Sequence, residues 1–518
     1  MNIDLAALPS DVDTLHHLVR DLAAQVADDR SELAQAQAEI ERLKLIIRRF
    51  QRAQFGRRSE RIEGDQLALG LEHLDADIAR LQARHPAASA HDVSSPPTSS
   101  HQQGLPDHLP REDVAIDIDE RVCPCCGGAL HVIGETVSEM LDFVPAQLRV
   151  LRIRRPKYGC RSCGTIHQAA APERPIAKGM ASPGLLAHVL VSKYCDHTPL
   201  YRQSQIFARH GVDIERSTLA NWVGGACWWL EPLQARLAAH VFGSDKIFAD
   251  DTPIPVLDPG RGRTKTGRLW VYARDDRPWV GPDPPVTIYF YSPDRKAERP
   301  ASHLEAFHGV LQVDGYAGFE RLTERGEIVL AACWAHTRRK FFDVHEATGS
   351  PIAAEALRRI TGLYAIEKSI RGRTAEERQS VRNTKSRPLV EAMKPWLEAQ
   401  LGRIPGRGGL AEAIRYTLSR WPALCHFLGD GRIELDNNSV ERAIRPVALG
   451  RKNHLFAGSD GGAERWATVC SLIASAKLND VEPFTYLRDI LQRMTEGYPM
   501  SRLDELLPWN WSKMRVKH

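Results

Sequence analysis

The chain has 518 residues, 43% of them hydrophobic, and a formal charge of +4. It is too long for one ordinary domain and has enough apolar sequence for more than one core, while the small total charge alone says little about a polyanionic partner. No apolar run approaches the roughly 20 residues needed to span a bilayer, and MNIDLAALPSDVD lacks a basic-then-apolar signal pattern, so membrane and secreted classes are set aside and a cytoplasmic protein is expected.

In chain order, residues 11–55 carry the clearest periodicity. Leu15, Val19, Leu22, Val26, Asp29, Leu33, Ala36, Ile40, Leu43 and Ile47 recur at alternating steps of four and three, the seam of a coiled coil. Asp29 weakens the seam but can fix its register, so self-association is the expected use. The basic stretch QRAQFGRRSER follows. Residues 83–110, opening with ARHPAASAHDVSSPPTSSHQQGLP, are too poor in large apolar residues to pack and read as a flexible linker.

Residues 111–176 read as a zinc-binding domain. Cys123 and Cys126 are two residues apart, as are Cys160 and Cys163, with 33 residues between the pairs. That spacing suits four thiolates on one tetrahedral Zn²⁺, a structural site because no position stays open. Cys125 lies between ligands and is left out. Ten cysteines in so long a chain do not form a disulfide framework. From 145 to 216 there are twelve Lys or Arg against four acids, a local excess that favours a polyanion. Residues 177–240 look helical. Two helices around Gly211 resemble a helix-turn-helix, which would turn Arg216, Ser217, Thr218 and Asn221 towards a DNA major groove while Leu219 and Trp222 pack inward. A small helical bundle supporting the rest of the chain is the alternative.

Residues 244–344 alternate between apolar runs and turns. Ile247 to Ala249 form a strand running into Asp250 and Asp251, whose side chains must point to opposite faces. Leu269 to Ala273 and Val286 to Tyr291 are further strands, and Pro300 to Phe307 is a short helix. Val310, Leu311 and Val313 deliver Asp314 just before Gly315, where the backbone can turn sharply. Ile328 to Ala332 then feeds a helix start with Cys333, Trp334, His336, Arg338 and Arg339; His336, Arg338 and Arg339 would contact phosphate there. Residues 345–432, broken at RNTKSRP and GRIPGRGG, read as a helical insertion. Residues 433–465 return with a helix capped by Asn438 and carrying Glu441, and residues 466–518 supply closing helices with LLPWNW anchored by its two Trp. Strand, strand, strand, helix, strand, with acids on the first and fourth strands, is the order of a ribonuclease H-like core. Acids held by strand ends and a helix suit paired divalent cations.

These acids with their flanks, together with CWAHTRRKFF, QFGRRSER and KYGCRSC in the same order, resemble the large transposase of the insertion-sequence-66 group of bacterial mobile elements, over nearly the whole chain. The resemblance implies that Asp250, Asp314 and Glu441 are a DDE triad for DNA strand cleavage and transfer. The family often has Glu after its first catalytic Asp, where this chain has Asp251; Asp250 is the preferred ligand. Mg²⁺, or Mn²⁺ in its place, is then the expected catalytic ion, and the partners are DNA at the element ends and target, a second copy through the coiled coil, and small companion proteins of the same element. The expected fold is a multidomain α/β chain: a ribonuclease H-like core with a helical insertion, preceded by a coiled coil, a zinc ribbon and a helix-turn-helix-like domain. Competing readings are a zinc-containing DNA-binding regulator with an inactive core, and a metal-dependent nuclease of the same fold.

Overall fold

Five apolar segments pair into one mixed sheet, and the order of pairing decides what they bring together. The computed structural model describes residues 148–515 apart from 160–165, 169, 178, 259 and 455, all in the unit Pro145–His518. The coiled-coil and linker segments and the four zinc-pattern cysteines lie outside the described residues. Around the second cysteine pair, β1 (Lys157–Gly159) and β2 (Ile166–Gln168) pair antiparallel. Gln168 Nε2 donates to the Arg155 carbonyl at 2.9 Å.

The main sheet comprises β3 (Lys246–Asp258), β4 (Arg263–Arg274), β5 (Val286–Ser292), β6 (Gly309–Val313) and β7 (Ile328–Ala332), in the order β5-β4-β3-β6-β7. β3, β4 and β5 are antiparallel, and β6 and β7 run parallel to β3. The central strands are near-continuous apolar runs, as Ile247, Phe248 and Leu269 to Tyr272 show, because helices cover both faces. A short helix, α1 (Glu298–His303), lies in the crossover from β5 to β6.

β3 runs through Pro253 and Pro255, well past the apolar stretch that marks it in the sequence. It tolerates them because β6 pairs only with Lys246 to Ala249. Beyond that point the open side of β3 is taken by another segment: Ala457 N donates to the Pro255 carbonyl and Leu257 N to the Ala457 carbonyl, both at 2.8 Å. Proline is acceptable on a strand where no ladder donor is required.

The outer edge at β5 is sealed by side chains. In the helix α2 (Asp460–Leu478), Ser471 Oγ accepts from Tyr289 N at 2.9 Å, and Ser475 Oγ both accepts from Thr287 N and donates to its carbonyl. Just past that helix, Asn479 Nδ2 donates to the Pro285 carbonyl at 2.9 Å. Gln234 Nε2, from the helix α3 (Arg216–Phe242), donates to the Tyr289 carbonyl at 2.9 Å. Covering an edge in this way removes a template for unwanted strand pairing.

α3 buries Leu219, Trp222, Ala226, Leu230, Leu233, Leu237 and Val241, a stripe at steps of three and four. Two helices precede it, α4 (Pro183–Tyr194), whose Ser182 cap accepts from Leu185 N, and α5 (Leu200–Arg209). A second apolar core is built by α6 (Trp334–Thr348), α7 (Pro351–Ile370), α9 (Arg387–Leu401), α10 (Gly409–Ser419) and α11 (Trp421–Cys425) around Phe341, Ile360, Leu397 and Ile414, while α8 (Ala375–Val381), between α7 and α9, buries only Arg378.

The expected break at RNTKSRP does not occur. Arg382–Ser386 form a π-helical turn joining α8 to α9 without interruption. The turn aims a fully buried Arg382 at Glu367, with Nε–Oε1 at 2.8 Å and Nη2–Oε2 at 2.7 Å, while its Nη1 donates to the Phe427 carbonyl at 2.9 Å. Arg378, also buried, reaches Glu434 at 2.6 Å. Burial of two guanidinium groups is tolerable only with partners of this kind. The GRIPGRGG break is present, between α9 and α10.

The chain closes with α12 (Asn438–His454), α2, α13 (Pro483–Thr495) and α14 (Pro508–Arg515). Trp511 is buried and its Nε1 donates to Asp489 at 2.7 Å, anchoring the tail. Among the described residues no helix is long and apolar enough to cross a membrane.

Candidate active site

Strand alternation separates Asp250 from Asp251 completely. Asp251 has a fully buried side chain clasped by Arg268 at 2.9 Å and by Arg295 at 2.8 Å, so its charge is matched on its own face of β3. Asp250, on the other face, has Asp314 and Glu441 as its main charged neighbours. Burial first, and then those two carboxylates, push its carboxyl well above the usual carboxylate range. The backbone N–H of Asp251 is its hydrogen-bond donor, at 2.7 Å.

Asp314 reaches this place because β6 is parallel to β3 in a fixed register. Ala249 pairs with Val313, the last residue of β6, so the next residue along each chain segment is an aspartate. Asp314 Oδ1 accepts from Tyr316 N at 3.0 Å, which holds the turn through Gly315.

Glu441 stands in the first turn of α12, and the segment before that helix is stitched to the sheet. Gln312 of β6, with no exposed surface, donates to the carbonyls of Glu434 at 2.6 Å and Asp436 at 2.7 Å and accepts from Glu434 N at 3.2 Å. Asn437 Nδ2 donates at 3.1 Å to the carbonyl of Ala249, the residue before Asp250. The start of the helix is organised by Asp436, which accepts from Asn438 N at 3.1 Å and from its Nδ2 at 2.8 Å. Asn438 therefore does not act as the cap expected from its spacing to Glu441. Gln312 and Asn437 are positioning residues that the sequence reading missed; a Gln inside the apolar run VLQV was the available signal.

His336 lies in the first turn of α6, with Nδ1 3.8 Å from Glu441 Oε1. Cys333, His336 and Glu441 offer ligand atoms within 4.8 Å of one another. Burial, reinforced by Glu441 and Asp436, pushes the Cys333 thiol up, so the sulfur is a poor anionic ligand; it accepts from Asn437 N at 3.3 Å instead. Hard carboxylate oxygens gathered in this way fit a divalent cation such as Mg²⁺ or Mn²⁺, and the raised Asp250 carboxyl is what such a cation would relieve.

A cleft of about 340 Å³ opens beside Asp314, lined by His336, Arg339 and Lys340 of α6, Arg295 and Tyr316 from the sheet side, and Tyr416 of α10. Arg338 is exposed and does not line it. Helix geometry explains the substitution of Lys340 for Arg338: a residue four positions after His336 shares its face, and one two positions after it does not. Of the helix-turn-helix residues, Arg216, Ser217 and Asn221 are exposed and Thr218 half-buried, while Leu219 and Trp222 are buried. Tyr201, Arg202 and Arg209 of α5 are exposed as well.

The sequence profile described as Transposase IS66 family matches residues 178–465. Others match at 120–164, a zinc-finger binding domain of transposase IS66; at 471–509, an IS66 C-terminal element; and at 42–114, a Transposase C of IS166 homeodomain. Three similar Sinorhizobium fredii proteins are described as uncharacterized. y4jD is 43% identical over 100% of this chain and 99% of its own length, y4qI 39% over 99% of each, and y4hP 41% over 91% and 89%. The zinc-finger match supports a structural Zn²⁺ in a DNA-binding module, and the leucine-zipper region supports oligomerisation. From residue 42 to residue 509 the matches follow one another in one order, and the chain belongs to the IS66 family of transposases.

Proposed function

We propose that Asp250, Asp314 and Glu441 hold divalent cations, Mg²⁺ or Mn²⁺, in a ribonuclease H-like core that cleaves DNA at the ends of an insertion element and joins those ends to target DNA. The observation that carries this reading is the pair of aspartates following Ala249 and Val313, directly paired on adjacent parallel strands, with Glu441 close enough to perturb Asp250. The sheet order, three antiparallel strands followed by two parallel ones, supports the fold assignment.

When bound, paired divalent cations lower the pKa of an attacking water or DNA 3'-hydroxyl and stabilise the leaving oxygen. The protein contributes position. Gln312 and Asn437 fix the approach to α12, His336 sits against Glu441, and Arg339 and Lys340 meet the phosphates beside the scissile bond. Arg216, Ser217, Thr218 and Asn221 take the role of reading element ends, a task the zinc module shares. The helices at 345–432 form an insertion in the core, the coiled coil pairs two chains, companion proteins complete the assembly, and work on DNA places it in the cytoplasm.

Asp250→Ala, Asp314→Ala and Glu441→Ala should each abolish cleavage and joining of end duplexes while end binding persists. Strand transfer retained in any of them removes that residue from the site. Nicking without joining by the unaltered chain would favour a nuclease. Cys160→Ser should lower zinc content and end binding together; normal zinc with full binding would defeat the Cys123, Cys126, Cys160, Cys163 site.

A further inference from the structure

We propose that Lys340 and Tyr416, which line the cleft at Asp314, and Arg420, which stands against the Tyr416 ring at its margin, form a phosphate-gripping wall for the DNA strand that enters there. The inference rests on the reading of Asp314 as part of the catalytic site, and extends that site onto the helical segment between β7 and α12.

α10 is docked on the residue that follows Asp314. A Cβ added at Gly315 would lie 2.5 Å from Tyr416 Oη, so any larger residue there would have to displace the Tyr416 side chain, and Arg420 Nη2 donates to the Gly315 carbonyl at 3.2 Å. Tyr416 in turn gathers two cations: Arg420 Cζ lies 4.2 Å and Lys340 Nζ 5.0 Å from its ring centroid. Most buried arginines here are matched by carboxylates at hydrogen-bond distance, as at Arg382 and Glu367. Around Tyr416 the ring does that work. The only carboxylate near Arg420 among the described ion pairs is Glu320, at 3.8 Å and mostly exposed, a weak partner. A cation ordered by a π face keeps its charge and its outward N–H donors, which is what a phosphate requires. Asp343, one turn beyond Lys340 and also lining the cleft, bounds the wall on its acidic side.

The test is binding of a short fluorescein-labelled duplex of arbitrary sequence to the full chain without divalent ions, between about 50 and 200 mM salt. Phosphate contacts are read by the slope of log K against log salt. Lys340→Gln with Arg420→Gln should flatten that slope by about 1.8, two contacts' worth on a duplex. Tyr416→Phe should leave it unchanged, whereas Tyr416→Ala should flatten it with both cations still present, a flattening that counts only where the melting curve shows the variant folded. An unchanged slope in the double variant, or equal slopes for the Phe and Ala variants, overturns the wall. Each variant's melting curve shows whether it is folded, and Lys340→Gln alone, at an exposed position, serves where the double variant is not. Because no cleavage is needed, failure here is distinct from failure of the acid variants to lose activity.

Discussion

At Asp250 the nearest charges are other carboxylates, whereas at Glu367 and Glu434 each carboxylate meets a guanidinium at hydrogen-bond distance. Both clusters are buried, and both are anchored to the segment leading into α12. One is matched by guanidinium groups and holds helices together; the other gathers like charges, which is what the proposed cation site requires. Asp251 repeats the contrast within a single dipeptide, since its two arginines complete it on the opposite face of the strand. A charge cluster's role is thus told less by its burial than by whether the protein supplies the counter-charge.

The largest expected effect separates the clusters by activity. Asp250→Asn should lower end cleavage by about three orders of magnitude, the several kcal/mol that metal-assisted charge stabilisation supplies, while the metal-free chain becomes no less stable because a like-charge contact is removed. A clear fall in its urea midpoint would break the comparison. Next, Arg382→Met should cost about 3–5 kcal/mol in urea unfolding by leaving Glu367 with only its longer contact to Arg378, at 3.4 Å. A loss under 1 kcal/mol would show that Arg378 or water takes over.

Asp436 sharpens the picture through pH. Burial, with Glu434 second, raises its carboxyl to about 6. The folded chain then holds a proton that the unfolded chain has released, so this contribution is present below about 4, the unfolded value, and is lost as pH rises through about 6. Its full extent is up to about 3 kcal/mol, and Asp436→Asn should flatten that part of the stability profile; an identical profile would refute the shift. The smallest effect belongs to Asp251→Asn. Arg268 and Arg295 keep some solvent contact, so the loss should be about 1–2 kcal/mol with cleavage within tenfold of the parent, and a loss matching that of Asp250→Asn would make Asp251 part of the site.

Much of the core was legible because its strands are apolar runs punctuated by glycine and proline. β7 has the bounds its composition marks, and β5 runs one residue beyond Tyr291. β3 and β4 outran their apolar centres: the outer half of β3 buries only alternate residues such as Ile254 and Val256, with prolines between them, and the two outer halves are held by each other and by Ala457. The opposite facing of Asp250 and Asp251 followed from strand alternation. The π turn at Arg382 did not follow from anything local: RNTKSRP looks like a loop because its turn formers are read without Glu367, some fifteen positions away. Gln312 and Asn437 were hidden for the same reason, their partners being carbonyls contributed by distant segments.

The sealing of β5 by Ser471, Ser475 and Asn479 carries a consequence for shortened chains. A protein ending soon after α12 would keep every carboxylate of the proposed centre yet bare a row of amides and carbonyls to any neighbouring chain. Such a fragment should aggregate before its chemistry could be measured, so the last helices guard the solubility of a site to which they lend no carboxylate.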